Sequence, residues 1–436
     1  MINIRNAVYR SLLSSEKDKK FSNIELSAAI ERYQMDKNEK AQFTALFYGV
    51  IEKSITIDYL IEKYTSKKIS RLDDSVLIIL RLGIFEILYF STPDSAAVNE
   101  AVKLASRFAS RAKGFINAVL RKVCAEKESL PYPTQKDGVI YFSIKYSLPI
   151  WICESFIKDY PEIAEDLMSY SSTVRKTTLC TNTLRITPEE LKNQVNGAYG
   201  KYADTAVITD LPVSHIDALK NGDAFVQDEA SQIQTKALDA KAGMNVIDVC
   251  ACPGGKSFGA AVSMKNIGSV ASFDIHASKL PLIEKGAENL GISIIKTEKH
   301  DSTIAKDELI NKFDRVICDV PCSGLGVLSK KADLRHRDES LNDELPDLQY
   351  KILCSSAKYL KDGGILIYST CTLRKDENED IVTNFIQNNP DYDLEDFVIT
   401  DDLRSEGGMM TLFPNVHGTD GFFIAKIKKM SKTTQI

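Results

Sequence analysis

Two patterns of apolar positions divide the chain. Through the first third, apolar residues recur at helical spacing, as in Ile4, Val8 and Leu12, and again in Phe43, Leu46, Phe47, Val50 and Ile51. The stretch Val76 to Phe90 is almost wholly apolar. It is shorter than the ~20 residues needed to span a bilayer and holds Arg81 and Glu86, so it predicts a buried helix. Pro93 and Asp94 punctuate before a helix from about 96 to 108, and another is expected over 115–123. Leu130-Pro131-Tyr132-Pro133 breaks the pattern. Residues 1–130 therefore predict an all-helical bundle.

Residues 131–225 are mixed. Trp151 to Tyr160 reads as helix, Thr177 to Asn182 is rich in β-formers, and Thr187-Pro188-Glu189-Glu190 has the composition of a helix start. A small α+β segment is expected. Residues 226–436 alternate short apolar runs with helical patterns. The buried-strand candidates are Asn245–Cys250, Ser269–Phe273, Asp314–Cys318, Ile365–Tyr368 and Phe422–Ile427. This alternation predicts a doubly wound, Rossmann-like α/β sheet with its ligand at the carboxyl ends of the strands.

Charge refines that division. The 436 residues carry 55 Lys and Arg against 60 Asp and Glu, a net of -5, which excludes a basic coat over the whole surface. Residues 1–130 hold 21 basic and 16 acidic side chains, so a polyanion would be gripped there. No charged segment precedes an apolar core at the N-terminus, and the nine cysteines form no regular framework. Reduced thiols in a cytoplasm are expected, with no membrane segment.

The chemistry gathers at the predicted strand ends. The first strand runs into Asp248-Val249-Cys250-Ala251-Cys252-Pro253-Gly254-Gly255-Lys256-Ser257. Glycines between a strand and a helix let backbone approach a ligand and expose helix N-terminal N–H groups; the same residues also suit a plain structural turn. A P-loop would need glycine where Cys250 stands, and the G-x-G-x-x-G pattern is absent, so neither an ATPase nor an NAD enzyme is supported. Asp274, at the end of the second strand, is placed to accept hydrogen bonds from ribose hydroxyls, or to cap a helix. The fourth and fifth strands lead into Asp319-Val320-Pro321-Cys322-Ser323-Gly324 and Ser369-Thr370-Cys371-Thr372. Buried cysteines are usually small hydrophobes, a reading that suits Cys124, Cys153, Cys180 and Cys354 better than Cys322 and Cys371, which follow turn or polar residues. Cys250-x-Cys252 and Cys318-x3-Cys322 lack zinc-knuckle spacing, and no metal is expected.

In this order, Cys250-Ala251-Cys252-Pro253-Gly254-Gly255-Lys256, Asp319-Val320-Pro321-Cys322-Ser323-Gly324 and Ser369-Thr370-Cys371-Thr372 resemble the Sun/Fmu (RsmB-type) RNA cytosine-5 methyltransferases. Phe115 to Arg121 is similar to the end of that family's NusB-like helical domain, Val226 to Ser231 to its entry into the catalytic domain, and Gly418 to Phe423 to its last strand. The resemblance implies three parts: a NusB-like RNA-binding bundle over 1–130, a small α+β domain over 131–225 and a methyltransferase domain over 226–436. It implies S-adenosylmethionine as cofactor and a cytosine of 16S rRNA as substrate. A tRNA or a protein as methyl acceptor, or a non-catalytic antitermination module, are the alternatives. By the same resemblance Cys371 is the nucleophile that adds to C6 of cytosine, and Cys322 assists product release. DNA cytosine methyltransferases use the Pro-Cys cysteine as nucleophile, so the reverse assignment competes. Asp319 would hydrogen-bond the cytosine ring, and Lys256 would favour negative charge. Cys250 to Lys256, Asp274, Asp301 and Asp319 would hold the cofactor, Asp301 near the adenine amine unless it is a plain cap. The chain departs from the family in placing Cys252 where alanine is usual. The basic stretch Ser329–Arg337 lacks a proline often found there; it suits substrate phosphates or a solvated loop, and His336 is expected to pack rather than act as a base.

Overall fold

The computed structural model describes residues 3–18 and 22–431, so Met1 and Ile2 of the N-terminal reading lie outside it. The chain forms two compact units, Met1–Thr173 with Leu328–Arg337, and Val174–Val327 with Asp338–Ile436. The segment 131–225 thus contributes helices to the first unit and strands to the second.

The first unit contains α1 (Ile4–Asp18), α2 (Ser22–Tyr33), α3 (Lys37–Thr65), α4 (Asp74–Tyr89), α5 (Asp94–Phe108), α6 (Lys113–Ala125), α7 (Val139–Tyr146), α8 (Ile150–Asp159) and α9 (Ala164–Tyr170). Asp36 and Glu39 close a capping box at the start of α3. The apolar run 76–90 becomes α4, which packs against α1, α3, α5 and α6 and buries residues on every face. Its two charges are paired. The buried Glu86 carboxylate accepts from Arg5 at 2.9 Å, and Arg81 donates to both oxygens of Asp58 at 2.7 Å. An unpaired ion there would cost several kcal/mol.

Leu328–Arg337 belongs to this helical unit, and not all of its charges face solvent. Arg335 is 2 % exposed and donates to the carbonyls of Tyr146, Ser147 and Ser171 at 3.1, 3.0 and 2.7 Å. His336 Nε2 lies 3.1 Å from the Ile51 carbonyl and 3.3 Å from Ser54 Oγ, as packing rather than base chemistry requires. At Arg335 the expected basic loop is an internal anchor, whereas Lys330, Lys331 and His336 stay exposed. Carbonyls at helix ends lack intrahelical partners, and a guanidinium satisfies several of them at once.

The second unit holds two main sheets. The first is antiparallel, from β1 (Thr177–Thr181), β2 (Ala198–Tyr199), β3 (Ala206–Thr209) and β4 (Ala224–Val226), in the order β2-β3-β1-β4. The helix Pro188–Gln194 starts as expected, with Thr187 and Glu190 forming a capping box. The larger sheet contains β5 (Asn245–Asp248), β6 (Ser269–Asp274), β7 (Ile295–Lys299), β8 (Phe313–Asp319), β9 (Leu360–Thr370) and β10 (Tyr392–Leu394). After the hairpin β11 (Val398–Thr400) and β12 (Leu403–Arg404), β13 (Met409–Leu412) and β14 (Phe422–Lys429) join the larger sheet. Its order is β10-β14-β9-β8-β5-β6-β7, with β13 on β14. The five strands β5 to β9 are parallel, and β14 enters antiparallel beside β9. Val246, Ile317, Ile365 and Ile367 feed one apolar layer, and Ile247, Val316, Leu366 and Tyr368 feed the opposite one. A sheet covered on both faces accounts for the continuous apolar runs. Strand order reverses between β5 and β8, and a ligand crevice is expected at the carboxyl ends of the strands flanking such a switch. Among the described residues no helix is long and apolar enough to cross a membrane.

Candidate active site

Two loops build one half of the crevice. After β5 the chain turns through Cys250 to Gly254 into the helix Gly255–Ser263. The Ala251 N–H donates to the Phe273 carbonyl at 2.8 Å, which ties the loop to β6. Gly254 has φ +113, and a Cβ there would stand 2.4 Å from the Phe258 ring, so only glycine fits. No side chain caps this helix start. Its first N–H groups therefore face outward as donors. Beneath the loop, Asp248 Oδ2 accepts from Ser257 Oγ at 2.8 Å, and Ser257 meets Ser272 at 2.8 Å. Burial pushes the Asp248 carboxyl up to about 7, against the Ser257 bond and with added repulsion from Asp319. At the end of β6, Asp274 accepts from the Cys252 and His276 N–H groups at 3.3 and 2.9 Å. Each carboxylate oxygen keeps acceptor capacity for a ribose hydroxyl. Asp301 follows β7, is exposed and accepts from the Thr303 N–H and hydroxyl at 3.0 and 2.7 Å. Both bonds fall on Oδ1 and cap the next turn. Cys250 is half-buried, with its thiol raised well above the usual value by burial, and Cys252 is partly exposed beside the Lys279 carbonyl.

The other half is made by β8 and β9. Asp319 pairs in register with Ser369, and Ser369 Oγ donates to Asp319 Oδ1 at 2.8 Å. Lys256 Nζ lies 2.6 Å from Asp319 Oδ2 and 5.3 Å from the centre of the Phe422 ring. Burial opposes the Lys256 charge, but the charge and hydrogen bond of Asp319 outweigh it and raise the ammonium above its ordinary value. Past the strand ends, Cys322 Sγ and Cys371 Sγ come within 3.3 Å of each other. The bond to the Cys371 sulfur, followed by burial, holds the Cys322 thiol well above the usual range.

The sequence reading missed a buried polar group behind the two thiols. Glu377 accepts from the Ser323 N–H at 2.9 Å and from Gln349 Nε2 at 2.8 Å. Asn378 accepts from Thr370 Oγ1 at 2.5 Å and donates to the Thr372 carbonyl at 3.1 Å. The sequence signal was a polar Glu-Asn pair six residues after Cys371, within a run that otherwise reads as solvated charge. Among the described residues, no three potential ligands group to hold a metal.

A doubly wound sheet with a glycine-shaped loop, a carboxylate beyond the second strand and paired thiols at the switch point defines a nucleoside-dependent transferase of the methyltransferase class. Residues 235–428 match the family model described as 16S rRNA methyltransferase RsmB/F, and residues 2–125 match the NusB family. A Bacillus subtilis protein described as a probable ribosomal RNA small subunit methyltransferase B is 32% identical over 445 residues, covering 98% of each chain. A solved structure described as PH0851 covers 98% of this chain and 99% of its own, with TM-score 0.81 and 25% identity. NSun6 from Pyrococcus horikoshii, solved with SFG, shares the fold at TM-score 0.58 and 21% identity, covering 65% of this chain and 99% of its own. The chain belongs to the RsmB/F family and carries its NusB-type N-terminal domain. It is an S-adenosylmethionine-dependent methyltransferase, and its residues fit that cofactor: the start of the helix Gly255–Ser263 has no side-chain cap, and the Asp274 carboxylate stands beside the loop that leads into it.

Proposed function

We propose that the protein methylates C5 of a cytosine in 16S rRNA through a covalent adduct between Cys371 and C6. The observation that carries this reading is the 3.3 Å approach of two thiols beside the Lys256–Asp319 pair. Cytosine C5 is a weak carbon nucleophile. A thiolate adding to C6 makes it enamine-like and divides one hard step into two. When bound, S-adenosylmethionine supplies an electrophilic methyl group.

Cys371 forms the S–C6 bond while Asp319, held by Lys256 and Ser369, hydrogen-bonds the ring nitrogen or exocyclic amine. The ammonium of Lys256 interacts electrostatically with Cys371 and favours negative charge there. After C5 gains its methyl group, the C5 proton leaves, the S–C6 bond breaks and the C5–C6 double bond returns. A thiol 3.3 Å from the proposed nucleophile supports a proton-handling role for Cys322 in that release. The small-subunit rRNA assignment draws on the description of the Bacillus subtilis relative. The base must be unstacked to reach the thiols, at a cost of a few kcal/mol, and the basic helical unit is the proposed RNA grip.

The test is methyl transfer from labelled cofactor to small-subunit rRNA lacking the modification. Wild-type protein is expected to label one cytosine, Cys371→Ala none, and Cys322→Ala is expected to accumulate an RNA–protein species retarded on a denaturing gel. An active Cys371→Ala beside an inactive Cys322→Ala would reverse the two roles, and label on tRNA alone would overturn the substrate.

A further inference from the structure

We propose that Glu377 and Asn378, aided by Gln349, are positioning residues that clamp the two thiol loops together and so set the distance between Cys322 and Cys371. This rests on the covalent reading above. The strand ladder alone does not reach the sulfurs. It pairs Asp319 with Ser369, and each cysteine lies beyond that pair on its own loop. Past it, the Gly326 N–H donates to the Cys371 carbonyl at 3.0 Å, and Ser323 Oγ meets Thr372 Oγ1 at 2.7 Å.

Glu377 and Asn378, adjacent in sequence, take one loop each. One oxygen of Glu377 holds the N–H of Ser323, the residue after Cys322. Asn378 holds Thr370 and Thr372, the residues on either side of Cys371. Gln349 locks the arrangement, because its Nε2 donates both to Glu377 and to the carbonyl of Pro321, the residue before Cys322. Tyr368 Oη donates to the Glu377 carbonyl at 2.6 Å. Each cysteine is thereby gripped on both sides in sequence.

Burial makes this costly for stability alone. Ser323, Gln349, Thr370, Thr372, Glu377 and Asn378 are all fully buried. A carboxylate there loses its hydration and gains only two donors, with the Arg374 guanidinium 3.5 Å from its second oxygen. A well-packed apolar group is often neutral or better at such a place. What an apolar group cannot do is aim a backbone N–H and, through it, a thiol. Misplacing a reacting group by 1 Å can cost about 10²-fold in rate.

The experiment uses Glu377→Met in the full chain, which removes the acceptor of both bonds at matched length, and reads two quantities. The first needs no RNA: diamide oxidises the two thiols to a disulfide and is itself reduced to the hydrazine, taking up two electrons and two protons. Closure of Cys322 to Cys371 is followed by peptide mass spectrometry. The variant is expected to close about tenfold slower or worse while melting as one folded species. The second is the partition between covalent RNA adduct and released product. It is expected to shift toward adduct, with KM for S-adenosylmethionine unchanged. Gln349→Met, which removes both of its donated bonds at matched length, is expected to shift both readouts the same way by less, and decides the matter if Glu377→Met does not fold. A folded variant that closes at the wild-type rate overturns the clamp, as does one that closes slowly yet releases product normally. If no variant forms an RNA adduct, the covalent reading fails, while closure still judges the clamp.

Discussion

The two halves of the crevice are held by different means. Around β5 and β6 the chain is shaped by backbone: Gly254 in a conformation only glycine takes, N–H groups of the loop donating to the Phe273 carbonyl and to Asp274, and an uncapped helix start. Around β8 and β9 it is held by side chains: Lys256 on Asp319, Ser369 on Asp319, and the buried Glu377, Asn378 and Gln349 behind the cysteines. A cofactor that varies little between cycles suits a rigid backbone mould. A site that must form and break a bond to an incoming base needs sulfur positions fixed to a fraction of an ångström, and side-chain networks supply that.

Loss of the Cys371 sulfur is the largest break, and it strikes only the second half. The next largest effect separates the halves by pH. The Asp248 carboxyl is raised to about 7 in the fold, so its neutral form stabilises the native state. That contribution is full below about pH 4, the value for the unfolded chain, and is lost as pH rises through about 7. Asp248→Asn removes the dependence. Between pH 4 and pH 8 the wild-type curve is expected to fall relative to the variant by on the order of 4 kcal/mol, read by denaturant unfolding; parallel curves would show that Asp248 does not titrate with folding.

A smaller effect is expected at the mould itself. Gly254→Ala forces a Cβ onto the Phe258 ring and a side chain into a left-handed backbone, at about 2 kcal/mol. Its thermal midpoint is expected to fall and KM for S-adenosylmethionine to rise about tenfold, while diamide closure of Cys322 to Cys371 keeps its wild-type rate. A slower closure would mean that the two halves are not independent.

Much of this architecture was legible in the sequence, for a physical reason. Strands buried on both faces write unbroken apolar runs, and the observed β5, β6, β8, β9 and β14 overlap every expected strand. The glycine loop and both cysteine motifs sit next to strand ends, so local spacing places them. The antiparallel β13 was not legible, because what makes Met409–Leu412 a strand is its pairing with β14, which forms only on folding. Arg335 was misread because charge predicts solvent unless several carbonyls converge on it, and those of Tyr146 and Ser171 lie far away in sequence. Glu377 was missed for the same reason, since Ser323 and Gln349 reach it only in three dimensions.

The most direct test of the central claim is the identity of the sulfur that bonds the base. Small-subunit RNA carrying 5-fluorocytidine traps the adduct, because fluorine at C5 cannot leave as a proton does. Incubated with wild-type protein and S-adenosylmethionine, then digested and mapped by mass spectrometry, the nucleotide is expected on Cys371. Its recovery on Cys322, or the absence of any cross-link under conditions where ordinary RNA is methylated, would contradict the account.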